Sequence, residues 1–486
     1  MSNRIEGKKL KKFTNSNIAK KINDTNYCIN AIPAKNFIIS ERIDILIKYL
    51  YCKSIIEKKG TAFLTELYLA HIKAFNNFVE SDDTQKVGKE CFLNNFSHLI
   101  FSILKEGIKT ETYIPIGSNN IPMDGAHRIS IAAILNMNIN TFKIDECAPI
   151  FDCFFFKNRG LDNKLIDYTT IEYAHQKDSV YMVMVWPIAK GHQQEIEKIL
   201  WKNGKIINQK NIKLTYNGLL NLQRFEYKEE KWLGNYTNDF EGLHTKCSQC
   251  YDKDGVLRTF LFESTADLIQ MKDEIRKLFN IGKHAIHIND TQEQTREIAQ
   301  LIFNDNAIHF LNCSYRKETK TFNRLFKKFV NYLNENHINK NEVAIIGGVL
   351  ALYGIKDAKD LDYISTTNKM PNKITDEIEL EIKKNQYTHY SEQDLITDPR
   401  LHFVYNGIKF VNLKVILEIK KNRNRNSDSD KRDVQLIEKL LKDGEIKFTL
   451  SEKIKIWALI SFYRRHIKLM LLEVRYILYS IKNKLQ

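Results

Sequence analysis

The fold of the first part of the chain is decided by the stretch Ile121-Pro-Met-Asp-Gly-Ala-His-Arg-Ile-Ser-Ile-Ala-Ala-Ile-Leu135. A short apolar run, Tyr113–Ile116, precedes it, and its second half is small and apolar with helical spacing. The pattern predicts a strand, a tight turn at Gly125 and a helix. That order of elements directs unpaired backbone N–H groups at an anion.

Polar side chains at this turn fit a phosphate site. Asp124 is a candidate base or metal ligand, His127 a proton shuttle or phosphate contact, and Arg128 a forked phosphate clamp. Gly125 and Ser130 complete the predicted cofactor-binding set. The alternative interpretation is a capped helix start that carries a surface arginine.

The same residues resemble a known family. Asp124-Gly-Ala-His-Arg128 followed by Ala132-Ala133 is similar to the signature of the ParB/sulfiredoxin-like fold. The match is good over 110–145 and only general over 30–110. That fold includes ATP-dependent enzymes, free-amino-acid kinases and DNA-partitioning proteins. The resemblance implies that His127 and Arg128 hold nucleotide phosphates and that Asp124 acts near the phosphoryl group, but such a fold fixes neither reaction nor substrate.

Composition is typical of a globular protein with about three domains. The chain has 486 residues, 43% hydrophobic and 27% charged, with a net charge of +15. Residues 1–26 are polar and basic with no apolar core, so no signal peptide is expected, and the absence of a run of 18 apolar residues predicts no transmembrane helix. The eight cysteines are scattered, which favours a reducing, cytoplasmic location over a zinc site.

The second part of the chain alternates strands and helices from Ser179 to Phe303, which predicts a ferredoxin-like α/β sandwich. Residues 284–303 resemble the histidine strand and following helix of nucleoside diphosphate kinases. The resemblance places His287 at the family's phosphorylated histidine and Asp290 at the helix cap. The chain departs from the family at Trp186, where a phosphate-binding lysine is expected, and it lacks the arginine-bearing loop. Two interpretations stay open: working phosphotransfer at His287, or a domain that has lost the chemistry.

In the third part, residues 343–354 predict a strand, a turn at Gly347-Gly348 and a short helix. Asp360 and Asp362 follow in a predicted strand, where a spacing of two points both carboxylates to one side. Convergent carboxylates beside a glycine turn suit a Mg²⁺–nucleotide site. The alternative interpretation is an exposed strand edge with alternating acids.

Gly347, Gly348, Asp360 and Asp362 resemble the signature of the nucleotidyltransferase fold, which implies that both aspartates bind Mg²⁺ and act in catalysis. Many members need a third carboxylate on a later strand. The strand predicted at 402–411 has no acid, so Asp394 and Asp398 are the candidate substitutes. A basic helix and loop follow, and they either grip a triphosphate or an anionic acceptor or form a solvated face; their basic residues are Lys414, Lys420, Arg423, Arg425, Lys431 and Arg432.

The last 36 residues, 451–486, contain eight Lys/Arg and two acids among many aromatic and aliphatic residues. A basic amphipathic helix of this composition suits the surface of an anionic membrane. It is also compatible with packing on the protein itself or with nucleic acid. The tail resembles those of enzymes that build cell-surface polysaccharides.

These patterns predict a multidomain α/β (α+β) protein. The predicted parts are a basic flexible arm (1–26), a ParB/sulfiredoxin-like domain (27–175), a nucleoside diphosphate kinase-like domain (176–315), a nucleotidyltransferase-like domain (316–445) and a basic amphipathic tail (446–486).

The expected function is phosphotransfer or nucleotidyl transfer, with Mg²⁺ and ATP or another nucleoside triphosphate. The expected acceptor is an anionic glycan or glycolipid, a precursor of a bacterial surface polysaccharide, and the expected place is the cytoplasmic surface of the inner membrane. The alternatives are a ParB-like nucleic-acid-binding protein and a non-catalytic scaffold of degenerate nucleotide-binding domains.

Overall fold

A computed structural model describes residues 4–59, 62–80, 86–235, 238, 240–315, 318–381, 387–423 and 428–443. Helices and mixed sheets make up these residues, so the predicted multidomain α/β fold is confirmed. The chain divides into two compact units, and the second begins at Thr170. The predicted tail at 446–486 and Arg425 lie outside the described residues.

Unit one contains a small sheet and a group of helices. Its three-stranded sheet has the order β3-β5-β4, with β4 parallel and β3 antiparallel to β5. The elements are β1 (Arg4–Glu6), α1 (Gly7–Lys11), α2 (Ser16–Ala19), β2 (Asn26–Cys28), β3 (Asn30–Pro33), α3 (Ile43–Ile56), α4 (Ala62–Asn76), α5 (Lys89–Glu106), β4 (Tyr113–Ile116), α6 (Ala126–Ile134), β5 (Asn138–Lys143), α7 (Cys153–Asn158) and α8 (Asn163–Gln176), which continues into unit two.

The predicted strand, glycine turn and helix are confirmed as β4, Gly125 and α6. Helices α3, α4, α5 and α6 share one core, in which the Tyr51 and Tyr68 rings stack 4.6 Å apart. Ile131 of α6 is fully buried in this core. The apolar face of α6 therefore fixes the helix, and its N-terminus with Gly125 stays at the surface of the unit.

The prediction of a flexible N-terminal arm is wrong for residues 4–26. Strand β1 pairs with β2, and the amide of Gly7 donates to the carbonyl of Thr25. Leu10, Ile18 and Ile22 are buried against the small sheet. Few apolar residues stand among many lysines here, but they lie on the same side and are enough to fold the segment onto the unit.

The first sheet of unit two has the order β7-β8-β6-β9, and every neighbouring pair is antiparallel. This is the order and direction expected of the predicted ferredoxin-like sandwich. The elements are β6 (Val180–Val185), α9 (Gln193–Asn203), β7 (Lys205–Ile212), α10 (Tyr216–Glu226), α11 (Glu241–Cys250), β8 (Leu257–Glu263), α12 (Leu268–Phe279), β9 (Ile286–Ile288), α13 (Gln292–Ile302) and α14 (Asp305–Cys313).

The second sheet of unit two has six strands in the order β12-β13-β11-β10-β15-β14. Strand β10 pairs antiparallel with β11 and parallel with β15, whereas β11 pairs parallel with β13. The elements are α15 (Lys320–Glu335), β10 (Val343–Ile345), α16 (Val349–Leu352), β11 (Leu361–Ser365), β12 (Lys373–Thr375), β13 (Ile378–Leu380), α17 (Glu392–Thr397), β14 (His402–Tyr405), β15 (Ile408–Val411), α18 (Leu413–Asn422) and α19 (Asp428–Asp443).

The single strand predicted at 402–411 is a hairpin, so that prediction is corrected. Asn406 and Gly407 both adopt positive φ, 46° and 73°, between Tyr405 and Ile408. Two such residues form the tight turn that matches the twist of antiparallel strands. The Asn406-Gly407 pair was an available signal for this turn, although the predicted single strand ran through it.

The two sheets of unit two are joined by α14, although the sequence places a domain boundary at 315/316. The side-chain amides of Asn304 and Asn306 both donate to the carbonyl of His402, at 3.2 and 3.1 Å. The His309 ring lies between the hydroxyl of Tyr353 and the carbonyl of Leu440, at 3.0 Å from each. Residues of the two predicted domains therefore belong to one compact unit.

Each helix in the described ranges is too short or too polar to cross a bilayer.

Replacing Leu10 with alanine tests the folded N-terminal segment. Leu10 is fully buried, so the change should lower the free energy of unfolding of unit one by about 2–5 kcal/mol. Urea unfolding followed by circular dichroism measures this loss. Lys9→Ala, at an exposed position of the same helix, is the control. Equal stability of the two variants would show that the segment is an unfolded arm.

Candidate functional site

The turn between β10 and α16 is built by two glycines with different constraints. The amides of Ile346 and Gly347 both donate to the carbonyl of Asp362, at 2.9 and 3.0 Å. A Cβ on Gly347 would lie 2.7 Å from the backbone nitrogen and from a carboxylate oxygen of Asp362. Gly348 has a φ of +77°, which other residues rarely adopt. The glycines therefore bring the turn directly against the Asp362 carboxylate.

Four acids lie along the strands beside this turn. Asp362 is half-buried in β11, and Asp360 is exposed just before that strand. Glu379 is the partner of Asp362 in the parallel strand β13, and the amide of Glu381 donates to the carbonyl of Tyr363. Because side chains two residues apart share a face and partners in register lie side by side, the four carboxylates belong to one face of the sheet.

The electrostatics show that these four acids are close enough to interact. Burial, followed by the negative charges of Asp360, Glu381 and Glu379, raises the pKa of Asp362 to about 6, whereas Arg423 acts in the opposite direction. Glu381 forms an ion pair with Arg423. An aspartate with a pKa near 6 is mostly ionised at neutral pH, so its charge lies beside those of the neighbouring acids.

The structure brings a third carboxylate, that of Glu381, to the same face of the sheet from the end of β13, whereas the predicted candidates were Asp394 and Asp398. The predicted substitutes serve the fold: the Asp394 carboxylate accepts from Ser391 at the start of α17, and Asp398 pairs with Arg400 at 2.7 Å. The alternation in Ile378-Glu-Leu-Glu381 was the available signal for a short strand with two acids on one side.

A cavity of about 860 Å³ opens beside this turn. Among the described residues that line it, five are basic and seven are acidic, a formal balance of −2; they are Lys356, Lys359, Lys373, Lys420 and Arg423 against Asp357, Asp360, Asp362, Glu379, Glu381, Asp430 and Asp433. Lys420 was predicted to bind phosphate and lies in this wall. Lys414 was also predicted, but it is near His309, whose pKa it helps to lower, and does not line the cavity.

The donor set fits a cation that arrives with phosphates. The described residues contain no group of three or more His, Cys, Asp or Glu side chains arranged to hold a metal ion by themselves. Mg²⁺ in nucleotide sites is commonly held by one or two carboxylates together with substrate phosphates. Asp360 and Asp362 are the two carboxylates predicted for that role, and burial, with the charge of Asp360, raises the pKa of Asp362.

In unit one, the Asp124 turn lines a separate cavity of about 760 Å³. One Asp124 oxygen accepts from the amide of Gly125 at 2.6 Å, and the other accepts from the side chain of Asn15 at 2.8 Å. Gly125 has a φ of +81°, and no side chain caps the N-terminus of α6. His127 and the exposed Arg128 line the same cavity, so the structure brings these predicted residues together.

The side chains of His127 and Ser130 both contact other residues of unit one. The Nε2 atom of His127 is 3.1 Å from the hydroxyl of Tyr68, and burial, with the positive charges of Lys48 and Lys86, keeps the pKa of His127 well below its ordinary value. A neutral imidazole suits a hydrogen-bond role better than charge neutralisation. Ser130 is fully buried and donates to the carbonyls of Ala126 and Ile45, so its predicted role in cofactor binding is corrected to helix packing.

A buried ion cluster that sequence reasoning missed also faces this cavity. Arg42 and Lys48 both bind the carboxylate of Asp44, at 2.8 and 2.9 Å, and all three side chains are at most 5% exposed. Burial alone would raise the pKa of Asp44, but the two cations outweigh it and keep the pKa low. The i,i+4 spacing of Asp44 and Lys48 was the only signal of a pair, and nothing local indicated that it is buried.

His287 lies on β9 with both ring nitrogens in hydrogen-bond range of a partner. Nε2 is 2.6 Å from Glu226, a fully buried carboxylate, and Nδ1 is 3.3 Å from the hydroxyl of Tyr227. Glu226 also accepts two hydrogen bonds from Asn289. Trp186, at the position of the expected lysine, is fully buried. Catalysis by His287 stays a prediction. Its contacts with Glu226 and Tyr227 explain the position of the ring as part of the packing of the domain.

Comparison with known proteins gave no match among protein-family models, curated proteins or solved structures. The three family resemblances therefore rest on the residues quoted above.

Replacing Asp362 with asparagine should stabilise the protein in a pH-dependent way. A carboxyl whose pKa rises from 3.8 to about 6 on folding is destabilising once it ionises, so native stability falls as pH rises from 4 to 6. The gain from Asp362→Asn should therefore be larger at pH 7.5 than at pH 4.5, measured by urea unfolding. Asp376→Asn, at a side chain 97% exposed, is the control. The same gain at both pH values would contradict the prediction.

Replacing Glu226 with alanine tests the packing interpretation of His287. The change leaves Asn289 and His287 without their acceptor, at a cost of roughly 1–3 kcal/mol for each group. Chemical unfolding should show the loss, and Glu229→Ala, at an exposed position, should not. A stable Glu226→Ala protein that has lost phosphorylation of His287 by labelled ATP would instead favour catalysis.

Proposed function

We propose that the chain is a nucleotidyltransferase that uses a nucleoside triphosphate and Mg²⁺, with its active site at the Gly347-Gly348 turn. The observation that supports this proposal best is the position of Asp362, which packs against the turn and shares its sheet face with Asp360 and Glu381. The absence of a side chain at Gly347 lets this turn pack against Asp362, and the backbone of the turn lines the cavity that would receive the phosphates.

The charge of the cavity supports a requirement for metal. Seven acids against five bases repel a polyphosphate, so the nucleotide must bind together with cations. Asp360 and Asp362 would hold Mg²⁺, which would supply neutralisation of the phosphates and activation of the reacting oxygen. Lys420 lies in the same wall, where it suits the charge of the leaving pyrophosphate. Nucleotidyl transfer depends mainly on such positioning and neutralisation.

A second phosphate ligand is proposed for unit one. Asp124, His127 and Arg128 line one cavity of about 760 Å³, which falls within the size range of small-molecule sites. Lys48 and Lys86 add positive charge to that cavity. This arrangement favours phosphoryl binding or transfer as the second candidate activity.

The acceptor proposed from the sequence is a precursor of a bacterial surface glycan at the inner membrane. Its support is the basic tail at 446–486, which lies beyond the described residues. Binding to nucleic acid and a non-catalytic scaffold role remain the rival proposals. The packing of the glycine turn against Asp362 favours the transferase over a role in binding nucleic acid. A scaffold of degenerate nucleotide-binding domains would keep the same turn, and the turnover assay separates it from the transferase.

A turnover assay with nucleoside triphosphates labelled on the α or the γ phosphate tests the proposal. Purified protein with Mg²⁺ and bacterial glycolipid extract should release pyrophosphate, and Asp360→Asn should reduce this release at least 100-fold, because Mg²⁺ loses a ligand. Asp376→Asn, at the exposed edge of the same sheet, should keep full activity.

Release of γ-phosphate alone, sensitive to Asp124→Asn and not to Asp360→Asn, would move the activity to unit one. No consumption of any nucleotide would contradict both enzyme proposals and favour the scaffold or nucleic-acid rival.

A further inference from the structure

Two lysines of the unit-two cavity are held by one buried carboxylate. Asp433 of α19 accepts from the Lys356 ammonium with both oxygens, at 2.6 Å each, and from Lys420 at 2.8 Å. The side chain of Asp433 is only 5% exposed. Lys356 follows α16 and Lys420 belongs to α18, so one aspartate joins three separate elements. We call Lys356, Asp433 and Lys420 the lysine clamp.

The clamp faces the proposed nucleotide site. Lys356, Lys420 and Asp433 line the same cavity as Gly348 and Asp360. The side chain of Lys356 is 45% exposed and that of Lys420 is 21% exposed, so both lysines are accessible from the cavity, whereas only 5% of the Asp433 side chain is exposed there. Asp430 is a further 3.5 Å contact of Lys420.

The geometry of the clamp suits an anion. Its two ammonium groups are balanced by the carboxylates of Asp433 and Asp430 within one network, so a bound phosphate would be recognised by hydrogen bonds from preplaced ammonium groups. Each ammonium carries three donors, so donors remain for a second acceptor. Holding two long side chains in place before binding removes most of the rotamer entropy that a phosphate contact would otherwise cost.

Burial of Asp433 excludes a simple competition between this carboxylate and a phosphate. Asp433 belongs to α19, so its carboxylate separates from the two lysines only if the helix moves. Such a separation would leave a buried charge without its partners, which is costly. Asp433 therefore positions the two lysines and is not a group that a bound phosphate displaces. A second ion pair between α18 and α19, Lys421 with Glu438, is 50% and 40% exposed and does not line the cavity, so it offers a matched comparison.

We infer that α19 completes the nucleotide site: Asp433 positions Lys356 and Lys420 to bind the terminal phosphates of a nucleoside triphosphate. The inference rests on the proposed function and adds to it the residues that recognise the polyphosphate. Its chemistry is that of a polyphosphate chain, independent of base or sugar.

Inorganic tripolyphosphate with Mg²⁺ is the probe, because it tests the clamp without turnover. Calorimetry should show binding to the full-length protein that weakens at least tenfold in Asp433→Asn and in Lys356→Ala. Glu438→Gln should bind as the unchanged protein does. Lys356→Ala removes a half-exposed side chain, so it keeps the test valid if Asp433→Asn fails to fold.

Kinetics separate a positioning role from a purely structural one. Asp433→Asn should raise KM for the nucleoside triphosphate about tenfold with little change in kcat, and Asp433→Glu should recover part of the loss. Unchanged or tighter tripolyphosphate binding in Asp433→Asn and Lys356→Ala would overturn the inference. Tripolyphosphate binding that needs the clamp, in a protein that consumes no nucleotide, would sustain the clamp and contradict the proposed transferase.

Discussion

The candidate site in unit two depends on one steric constraint, the contact between Gly347 and Asp362. The backbone of β10 approaches the next strand so closely that a methyl group at position 347 would lie 2.7 Å from Asp362. The two hydrogen bonds from Ile346 and Gly347 to the Asp362 carbonyl hold this approach. Because residue 347 has no side chain, the carboxylate of Asp362 lies beside the backbone of the turn. The other residues of the cavity surround Gly347 and Asp362.

Charge is balanced unevenly around this contact. Glu381 has Arg423, and Asp433 has two lysines, so these acids are compensated within the chain. The charge of Asp362 is not compensated in this way. Burial and the charges of Asp360 and Glu381 raise its pKa to about 6. The acids that form ion pairs with lysine or arginine side chains make up the wall of the cavity. Asp360 and Asp362 mark the place where a cation from solution would be stabilised.

The sequence predicted what is local and missed what depends on distant pairing. Gly347, Gly348, Asp360 and Asp362 lie within 16 positions, and one strand–turn–strand unit brings them together. Glu381 joins them only because β13 pairs parallel with β11, which no local pattern specifies. The folded N-terminus was missed because its few apolar residues, such as Leu10, stand among lysines, and their burial depends on the distant strand β5.

Among the described residues, the glycine turns at Gly125 and at Gly347-Gly348 both precede a helix beside a candidate site, yet they differ in what surrounds them. At Gly125 a Cβ would meet the side chain of Ile114, a flexible apolar neighbour. At Gly347 the obstruction is the backbone and carboxylate of Asp362. The glycine at the first turn is explained by its packing against Ile114. The glycine at the second turn brings a carboxylate, a group that can bind a metal ion, against the backbone. This difference, more than the number of polar residues in either cavity, is why we propose nucleotidyl transfer for unit two.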